Sequence, residues 1–497
     1  MCPQPSFPRD VLIIGSGVGG LSTAIILAKL GFDVTVLEKN SQAGGLMRSY
    51  RRDGIECPVG VHYLGSLDQG QILHKFFDYL GITAAIPVSR MGENGIIDRY
   101  VFDGADEHCH PASFDLPSGM DAYEEKLKQT FPDEREKIGQ IVAPIRKAAD
   151  QLHALDVLYA TANDLSLLDQ CQPLGEILDD LQCSPGLRSV LAIPACWIGV
   201  PLHDCPAYYH NMALASYVSS SYRLQGSGTE MADALVERLL ALGGRIVTGA
   251  EISKIHVRSR VVSGLQLKSG ENLTASIVIG AVHPKVVLQM LPEDAVKPSY
   301  RQRISGLEDT HGIFSVHASL DGASHPEIPH NIFKIDRGND GSVRDLKYYQ
   351  IRKSEREGVS LLSILTSGQD ALWPAWEKTK SGRRGNKYLE AKEEHAVGLI
   401  REAEELFGSF QGVKILDAYT PLTMRDWVNS PGGSAYGVLR SAGQTLSTAL
   451  LNRTAVQGLY LAGQNVMAPG IIGSIMGSFS TVKLILGADE FGKVVRL

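Results

Sequence analysis

Several features common in other protein classes are scarce or missing in this chain of 497 residues. Its seven cysteines are odd in number and form no Cys-x-x-Cys pair, which disfavours both a disulfide framework and a zinc ribbon. No run of 18 residues is free of polar side chains, and the N-terminal MCPQPSFPRD has no apolar signal core. We therefore expect no membrane span and a reducing, cytoplasmic setting.

Positive charge is also scarce. The chain carries 48 Lys and Arg against 55 Asp and Glu, a formal net charge of -7, and no long basic run. A nucleic-acid partner is therefore not expected. The stretches 108–110 and 196–205 contain His and Cys, but their spacings match no standard metal site, so no metal is expected.

What is present begins with a complete βαβ pattern over residues 10–38. An apolar strand, DVLII, leads into Gly15-x-Gly17-x-x-Gly20, a helix of the right length, and a second strand that ends at Glu38. Gly15 allows a tight turn, Gly17 allows a pyrophosphate to approach the backbone, and Gly20 allows the helix to pack on the strand. The helix N-terminus favours phosphate, and Glu38 is placed to bind ribose hydroxyls. The unit predicts a dinucleotide site.

Two further segments favour FAD over NAD. Gly44-Gly45, just after Glu38, predicts a second close approach of backbone to the same cofactor, although the pair alone would fit a simple turn. GLYLAGQN at 458–465 leads into a helix from Gly470-Ile471, whose N-terminal dipole would stabilise negative charge on a reduced flavin. No second Gly-x-Gly-x-x-Gly follows a strand, so we expect no separate pyridine-nucleotide domain. The electron donor or acceptor remains open.

The fold class predicted from these patterns is α/β. A Rossmann-like FAD-binding domain is expected from residues 1–75, 225–285 and 412–490. It is interleaved with a mixed-sheet α+β substrate domain from 76–224 and 286–411. The apolar, aromatic stretch 187–222 has two interpretations: a buried helix pair, or the wall of an apolar substrate tunnel that makes peripheral contact with a membrane.

The motifs resemble those of a family of flavoproteins. RRDGIECPVGVHYLGSL at 51–67, TPLTMRDWVNSPGGSAYGV at 420–438 and GLYLAGQNVMAPGIIGSIMGS at 458–478 resemble the phytoene desaturase, carotenoid isomerase and retinol saturase family, within the amine oxidase superfamily. His62-Tyr63, GSAYG and Gln464 are most similar to the retinol-saturase-like branch. The family often has Phe-Asp where this chain has Cys57-Pro58, so no role is carried over to that position.

The resemblance implies an FAD-dependent oxidoreductase that acts on carbon–carbon double bonds of an apolar polyene or isoprenoid, with saturation or isomerisation favoured. Alternatives are a desaturase of the same substrates, a flavin amine oxidase, and a non-catalytic lipid-binding chaperone on the same scaffold. The chaperone would have an eroded nucleotide site, whereas Gly15, Gly17, Gly20 and Glu38 are intact.

The candidate site residues fall into two groups. Those near the reacting carbon, as proton donors or as packing around the cofactor, are His62, Tyr63 and Tyr436. Those expected to bind FAD are Gly15, Gly17, Gly20, Glu38, Lys39, Gly44, Gly45, Arg48, Val61, Ile252, Gly463, Gln464, Gly470, Ile471 and Ile472. Of these, the resemblance places Ile252 at the adenine, and Gly463, Gln464 and Ile472 beside the pyrophosphate, ribityl chain and flavin.

Overall fold

The computed structural model describes residues 10–103, 111–159, 171–368 and 372–497; the His and Cys residues at 108–110 lie outside these ranges. The strands in the described ranges are β1 Asp10–Ile14, β2 Asp33–Leu37, β3 Tyr50–Arg52, β4 Ile55–Cys57, β5 Leu64–Gly65, β6 Val88–Arg90, β7 Asp98–Phe102, β8 Ser113–Leu116, β9 Ser221–Leu224, β10 Arg245–Val247, β11 Ile252–Arg258, β12 Val261–Leu267, β13 Asn272–Thr274, β14 Ile277–Gly280, β15 Ile313–Asp321, β16 Asn331–Arg337, β17 Val343–Lys353, β18 Val359–Ser367, β19 Lys414–Tyr419 and β20 Leu459–Leu461.

The helices in the same ranges are α1 Val18–Lys29, α2 Ile72–Leu80, α3 Met120–Thr130, α4 Arg135–His153, α5 Asp156–Tyr159, α6 Leu174–Asp180, α7 Pro185–Cys196, α8 Ala207–Ser219, α9 Thr229–Ala241, α10 Pro284–Met290, α11 Pro298–Ser305, α12 Asn386–Phe407, α13 Pro421–Val428, α14 Thr445–Thr448, α15 Gly470–Leu486 and α16 Ala488–Val494.

One of the two large sheets is a five-stranded parallel sheet. Its strand order is β10-β2-β1-β14-β20, so β1 lies between β2 on one side and β14 on the other. The residues of β1 and β14 are almost all buried, as expected for a parallel sheet covered on both faces. The point at which strand order reverses in such a sheet leaves a crevice at the carboxyl ends of the strands.

The other large sheet is a seven-stranded mixed sheet. Its order is β19-β15-β18-β17-β16-β7-β8, antiparallel except for the β16–β7 pair. Residues of α3, α4, α7 and α8 pack on one face, and residues of α12 pack on the other. The α/β class with a mixed-sheet second part is confirmed. The division into two domains at the boundaries given above stays a prediction.

The stretch 187–222 lies mostly in the interior. It forms most of α7, all of α8 and the start of β9, and only Pro201 and His203 in it are exposed. In the described ranges, no single helix is long and apolar enough to cross a membrane. Helices α15 and α16 meet that requirement only as a pair, and they are bent by 117°.

Candidate active site

A long cleft opens at the carboxyl ends of the parallel strands. Eleven of the fifteen residues predicted to bind FAD line it, namely Gly15, Gly17, Glu38, Lys39, Gly45, Val61, Ile252, Gly463, Gln464, Gly470 and Ile471. These residues come from three distant parts of the chain. They meet because the parallel strands β1, β2, β14 and β20 end at one edge of the sheet. The predicted dinucleotide residues are therefore brought together by the topology.

The three glycines of the loop have different surroundings. A Cβ at Gly20 would lie 2.0 Å from the Gly15 carbonyl oxygen, so this glycine allows α1 to pack against the strand and does not line the cleft. A Cβ at Gly17 would meet nothing within 4 Å, because this residue faces the open cleft. Gly17 is also the N-cap of α1. Space beside free helix N–H groups fits a pyrophosphate.

Glu38 is 5% exposed and is held by the glycine loop itself. Its Oε2 accepts bonds from the backbone N–H of Ser16, 3.1 Å away, and the Ser16 hydroxyl, 2.5 Å away, while Oε1 accepts from the Asn40 N–H at 2.9 Å. Ser16 also lines the cleft and accepts a bond from the Gly44 N–H. Gly44 thus bonds to the glycine loop through Ser16 and does not line the cleft, whereas Gly45 does line it. The sequence prediction missed Ser16.

Two residues predicted to contact the cofactor, Arg48 and Lys39, also have protein partners. Arg48 does not line the cleft, and its guanidinium binds the Asp233 carboxylate at 2.7 Å. Lys39 does line it, but its ammonium donates to the Asp426 carbonyl at 2.7 Å and to Asn429 Oδ1 at 2.8 Å. Burial lowers the pKa of Lys39. Lys39 therefore fixes the segment 426–430 over this end of the cleft.

That segment is a second feature that the sequence prediction missed. Trp427, Asn429 and Ser430 line the cleft, and the Trp427 side chain remains 56% exposed. Asn40 donates a bond to the Trp427 carbonyl at 3.1 Å. Trp427 thus borders the same cleft as Glu38, the residue placed for the ribose.

The far end of the cleft is closed by the C-terminal segment. A Cβ on Gly19 would lie 2.4 Å from Gly463 Cα, so the start of α1 and the loop after β20 touch through glycines. Gly470 and Ile471 at the start of α15 line the cleft, whereas Ile472 packs in the core behind it. Helices α1 and α15 both direct their N-termini to the same cleft, which fits a long anionic cofactor.

A second cavity, of about 350 Å³, adjoins this end of the cleft. Four residues, His62, Ile313, Leu365 and Tyr436, line both spaces. The rest of the wall is largely apolar and aromatic, with Tyr63, Trp197, Val200, Phe333, Val343, Leu346 and Tyr348 among its residues. Cys196, Trp197, Gly199, Val200 and Pro201 also line it, so the stretch 187–222 is both a buried helix pair and a cavity wall.

The three candidate catalytic residues meet where the two cavities join. His62 and Tyr436 line both spaces, and Tyr63 lines the second only. Burial, followed by the Arg352 guanidinium, lowers the pKa of His62 to about 4. Its imidazole is therefore neutral at neutral pH and is a weak proton donor.

The phenol groups of Tyr63 and Tyr436 are both protonated at neutral pH. Burial raises the pKa of Tyr436 to about 12 and that of Tyr63 well above its usual value. Tyr63 packs on Tyr217, with ring centroids 4.7 Å apart, and His62 packs on Tyr348 at 5.5 Å. In the described ranges, no group of three His, Cys, Asp or Glu side chains is placed to hold a metal ion.

Comparison with known proteins gives matches that span from about two thirds of the chain to nearly all of it. The chain is 25% identical to the all-trans-retinol 13,14-reductase of Macaca fascicularis, and the match covers 96% of this chain and 85% of that protein. It is 21% identical over 349 residues to the 4,4'-diapophytoene desaturase (4,4'-diapolycopene-forming) of a Methylomonas species, which covers 68% of this chain and 66% of that protein. The predicted resemblance to the retinol-saturase-like branch is confirmed.

The fold has a close counterpart among solved structures. An oxidoreductase from Methanosarcina mazei superposes with a TM-score of 0.67 at 17% identity, over 95% of this chain and all of that one. A family model described as flavin containing amine oxidoreductase matches residues 18–478. The family model describes flavin proteins, and the cleft has the geometry of a dinucleotide site. The flavin is therefore the dinucleotide FAD, as predicted. The chain is an FAD-dependent oxidoreductase that belongs to the family of flavin-containing amine oxidoreductases.

Proposed function

We propose that this chain reduces a carbon–carbon double bond of an apolar polyene or isoprenoid, using electrons that FAD receives from an external donor. The observation that carries the proposal is the apolar cavity that joins the cofactor cleft at His62, Ile313, Leu365 and Tyr436. An alkene in this cavity would lie between the flavin end of the cleft and protonated phenols. FAD supplies the hydride chemistry when bound.

The phenols favour reduction over desaturation. When hydride is added to an alkene, the neighbouring carbon must receive a proton from a donor within hydrogen-bond reach. Tyr63 and Tyr436 each bring a protonated hydroxyl to the cavity wall, and the neutral His62 is a weaker acid there. Loss of hydride to the flavin would not need such a donor. Isomerisation through transient reduction would use the same groups.

The cavity does not favour a cationic amine as substrate. Asp345 is the one carboxylate among its described lining residues, and it is paired with the Lys347 ammonium at 2.6 Å. An alkylammonium would be stripped of water in an apolar space with no free anion to compensate, which is costly. The intact nucleotide cleft likewise disfavours a non-catalytic chaperone.

A tryptophan placed inside the cavity tests this proposal. Val343 lines only the second cavity, and Val359 on the next strand lines neither. We expect Val343→Trp to keep FAD and lose more than about 90% of the rate at which polyenes oxidise the reduced enzyme, and Val359→Trp to keep both. Equal, wild-type rates in the two variants would show that substrate does not use this cavity.

We propose that the membrane contact predicted for 187–222 involves only the loop that contains Pro201 and His203. Pro201 lines the cavity and is exposed, and His203 beside it is exposed, so we propose that this loop marks the side from which an apolar substrate enters from a lipid surface. Liposome flotation should show partial binding that resists salt and is weakened by Pro201→Asp. Flotation that is absent, or unchanged in the variant, would reject the contact.

A further inference from the structure

The two most exposed large apolar side chains among the described residues lie in one short segment. Leu446 is 80% exposed and Leu450 is 73% exposed. Leu446 belongs to α14, and Leu450 follows two residues after that helix ends. Single exposed leucines scattered over a surface are ordinary. Two that lie almost entirely in water within five residues of one another point to a contact that covers them.

The local structure gives no reason for a leucine at position 450. Its backbone has φ 53°, in the left-handed region that glycine and asparagine adopt readily and leucine adopts only with strain. Because most of the residue is in water, packing within the chain offsets little of this strain. Leu450 is therefore unfavourable in the isolated chain both for its backbone and for its exposure.

The segment that carries the two leucines is held firmly from behind. Leu451, between Leu450 and the next strand, is buried. The Arg303 guanidinium donates to the Ser447 carbonyl at 2.8 Å, and the Asn452 amide donates to the Ser480 hydroxyl at 3.1 Å. The leucines are thus presented to the outside on an anchored turn.

This turn adjoins the loop at which we place substrate entry. The Ala442 N–H donates to the Asp204 carbonyl at 2.8 Å. Leu439, at the start of the same segment, packs against Val200. Val200 and Pro201 line the second cavity, and Pro201 is exposed. The leucines and the wall of the substrate cavity are therefore carried by two segments that are bonded to each other.

The surface around the leucines also lacks negative charge. No Asp or Glu occurs from residue 427 to residue 488, although the chain carries 55 in all. The one acid named on the adjoining loop, Asp204, lies 3.3 Å from the His203 imidazole. The exposed residues of 440–457 are Gly443, Leu446, Ala449, Leu450, Arg453, Ala455 and Gln457. Insertion of these residues into lipid headgroups would bury no carboxylate, and Arg453 can meet a phosphate there.

We propose that Leu446 and Leu450 insert into the headgroup layer of a lipid bilayer and hold the entrance of the second cavity against it. This inference rests on the proposed function, because an apolar polyene is dissolved in the bilayer and must pass from it into the cavity. Two side chains give a reversible, peripheral contact rather than a permanent anchor.

Binding of the holoenzyme to vesicles of phosphatidylcholine and phosphatidylglycerol tests this contact. Leu446→Ser and Leu450→Asn should each lower the partition coefficient by about 10-fold or more, the effect of one leucine that no longer leaves water. Leu450→Asn should melt at the same temperature as the wild type or higher, because asparagine tolerates this backbone better. Wild-type binding in both variants, or a fall in binding only together with a lower melting temperature, would overturn the proposal.

Leu389→Ser is the matched control. Leu389 is 53% exposed and lies on α12, on the opposite face of the seven-stranded sheet from α7. Its variant should bind vesicles as the wild type does. An equal loss of binding in Leu389→Ser would show that any exposed leucine has this effect and would overturn the specific role of the turn.

The route by which substrate is delivered separates the contact from catalysis. Leu446→Ser and Leu450→Asn should slow the reduction of a polyene supplied in vesicles but not of one supplied in detergent micelles. Vesicle binding through the leucines without any polyene reduction would reject the proposed function and leave the contact in place. Reduction with unchanged vesicle binding, in variants that turn a wild-type dimer into a monomer, would assign the leucines to a second copy of the chain and overturn the lipid contact alone.

Discussion

Gly17→Ala separates cofactor binding from folding. Gly17 has φ −63° and ψ 177°, which alanine adopts freely, and the added methyl would meet no protein atom within 4 Å. The apoprotein should therefore be unchanged or about 0.4–1 kcal/mol more stable, because alanine restricts the unfolded chain. The methyl would instead occupy the space beside the α1 N-terminus that we assign to the pyrophosphate.

Displacing the pyrophosphate by the width of a methyl group would break at least one hydrogen bond to a charged group. One such bond contributes about 1.5–3 kcal/mol, and each 1.4 kcal/mol is a factor of ten, so FAD should bind about 10- to 150-fold more weakly. Titration of the apoprotein with FAD, followed by flavin fluorescence, measures the dissociation constant. Melting of the same apoprotein measures its stability.

Two other glycines provide the controls. Gly139→Ala, in α4 and also free of contacts within 4 Å, should leave FAD binding unchanged. Gly20→Ala would place a carbon 2.0 Å from the Gly15 carbonyl oxygen and should destabilise the fold itself. Wild-type FAD affinity in Gly17→Ala would refute the placement of the pyrophosphate over this residue.

Three further predictions concern the cleft and the cavity junction. Glu38→Gln should weaken FAD binding by about 5- to 150-fold in the same titration, because the cleft loses the anion placed for the ribose; an unchanged constant would remove Glu38 from the ribose site. FAD binding should quench tryptophan fluorescence, and Trp427→Phe should lower the amount that is quenched, although Trp197 on the wall of the second cavity is quenched as well; an unchanged amount of quenching in this variant would place the cofactor far from the Trp427 indole. His62→Gln should leave the pH dependence of reduction between about pH 6 and pH 8 unchanged, since the pKa of His62 is about 4 and its imidazole stays neutral there. A titration lost from this range in His62→Gln would show that His62 ionises during turnover.

Most residues that the sequence predicts to bind FAD line one cleft, because the signals that identify them are local. The strand, Gly15-x-Gly17-x-x-Gly20 and Glu38 lie within one βαβ unit, and the geometry of that unit follows from short-range rules. The expectation for 187–222 left two interpretations open, and the structure shows why: α7 and α8 are buried, yet the turn after α7 lines the cavity.

Contacts between distant residues were not predictable in the same way. The position of Arg48 in the sequence predicts a cofactor contact, whereas its partner Asp233 lies 185 residues away on α9. The segment around Trp427 reaches the cleft through Lys39 and Asn40, and nothing in its own sequence indicates this. A pattern confined to one segment does not contain the partner that a folded sheet places beside it.

The buried hydrogen bonds that join Asp98, Asn331 and Tyr217 were equally out of reach of local patterns. Asp98 and Asn331 are 233 residues apart and meet only because β7 and β16 pair in parallel. In the sequence, Asp98 is one of 55 acidic residues, and it begins a strand that no local pattern distinguishes from others. Its unusual environment depends on Tyr217 from α8, which no local pattern relates to either strand.

The most direct test of the central claim is the mass of the product from a single anaerobic turnover. Holoenzyme is reduced, freed of excess reductant and mixed with a polyene, while the flavin spectrum is followed and the product is analysed by mass spectrometry. The account predicts that one flavin is reoxidised for each double bond lost and that the product is two mass units heavier than the substrate. A product two units lighter, formed only by oxidised enzyme with a quinone or oxygen as acceptor, would contradict it.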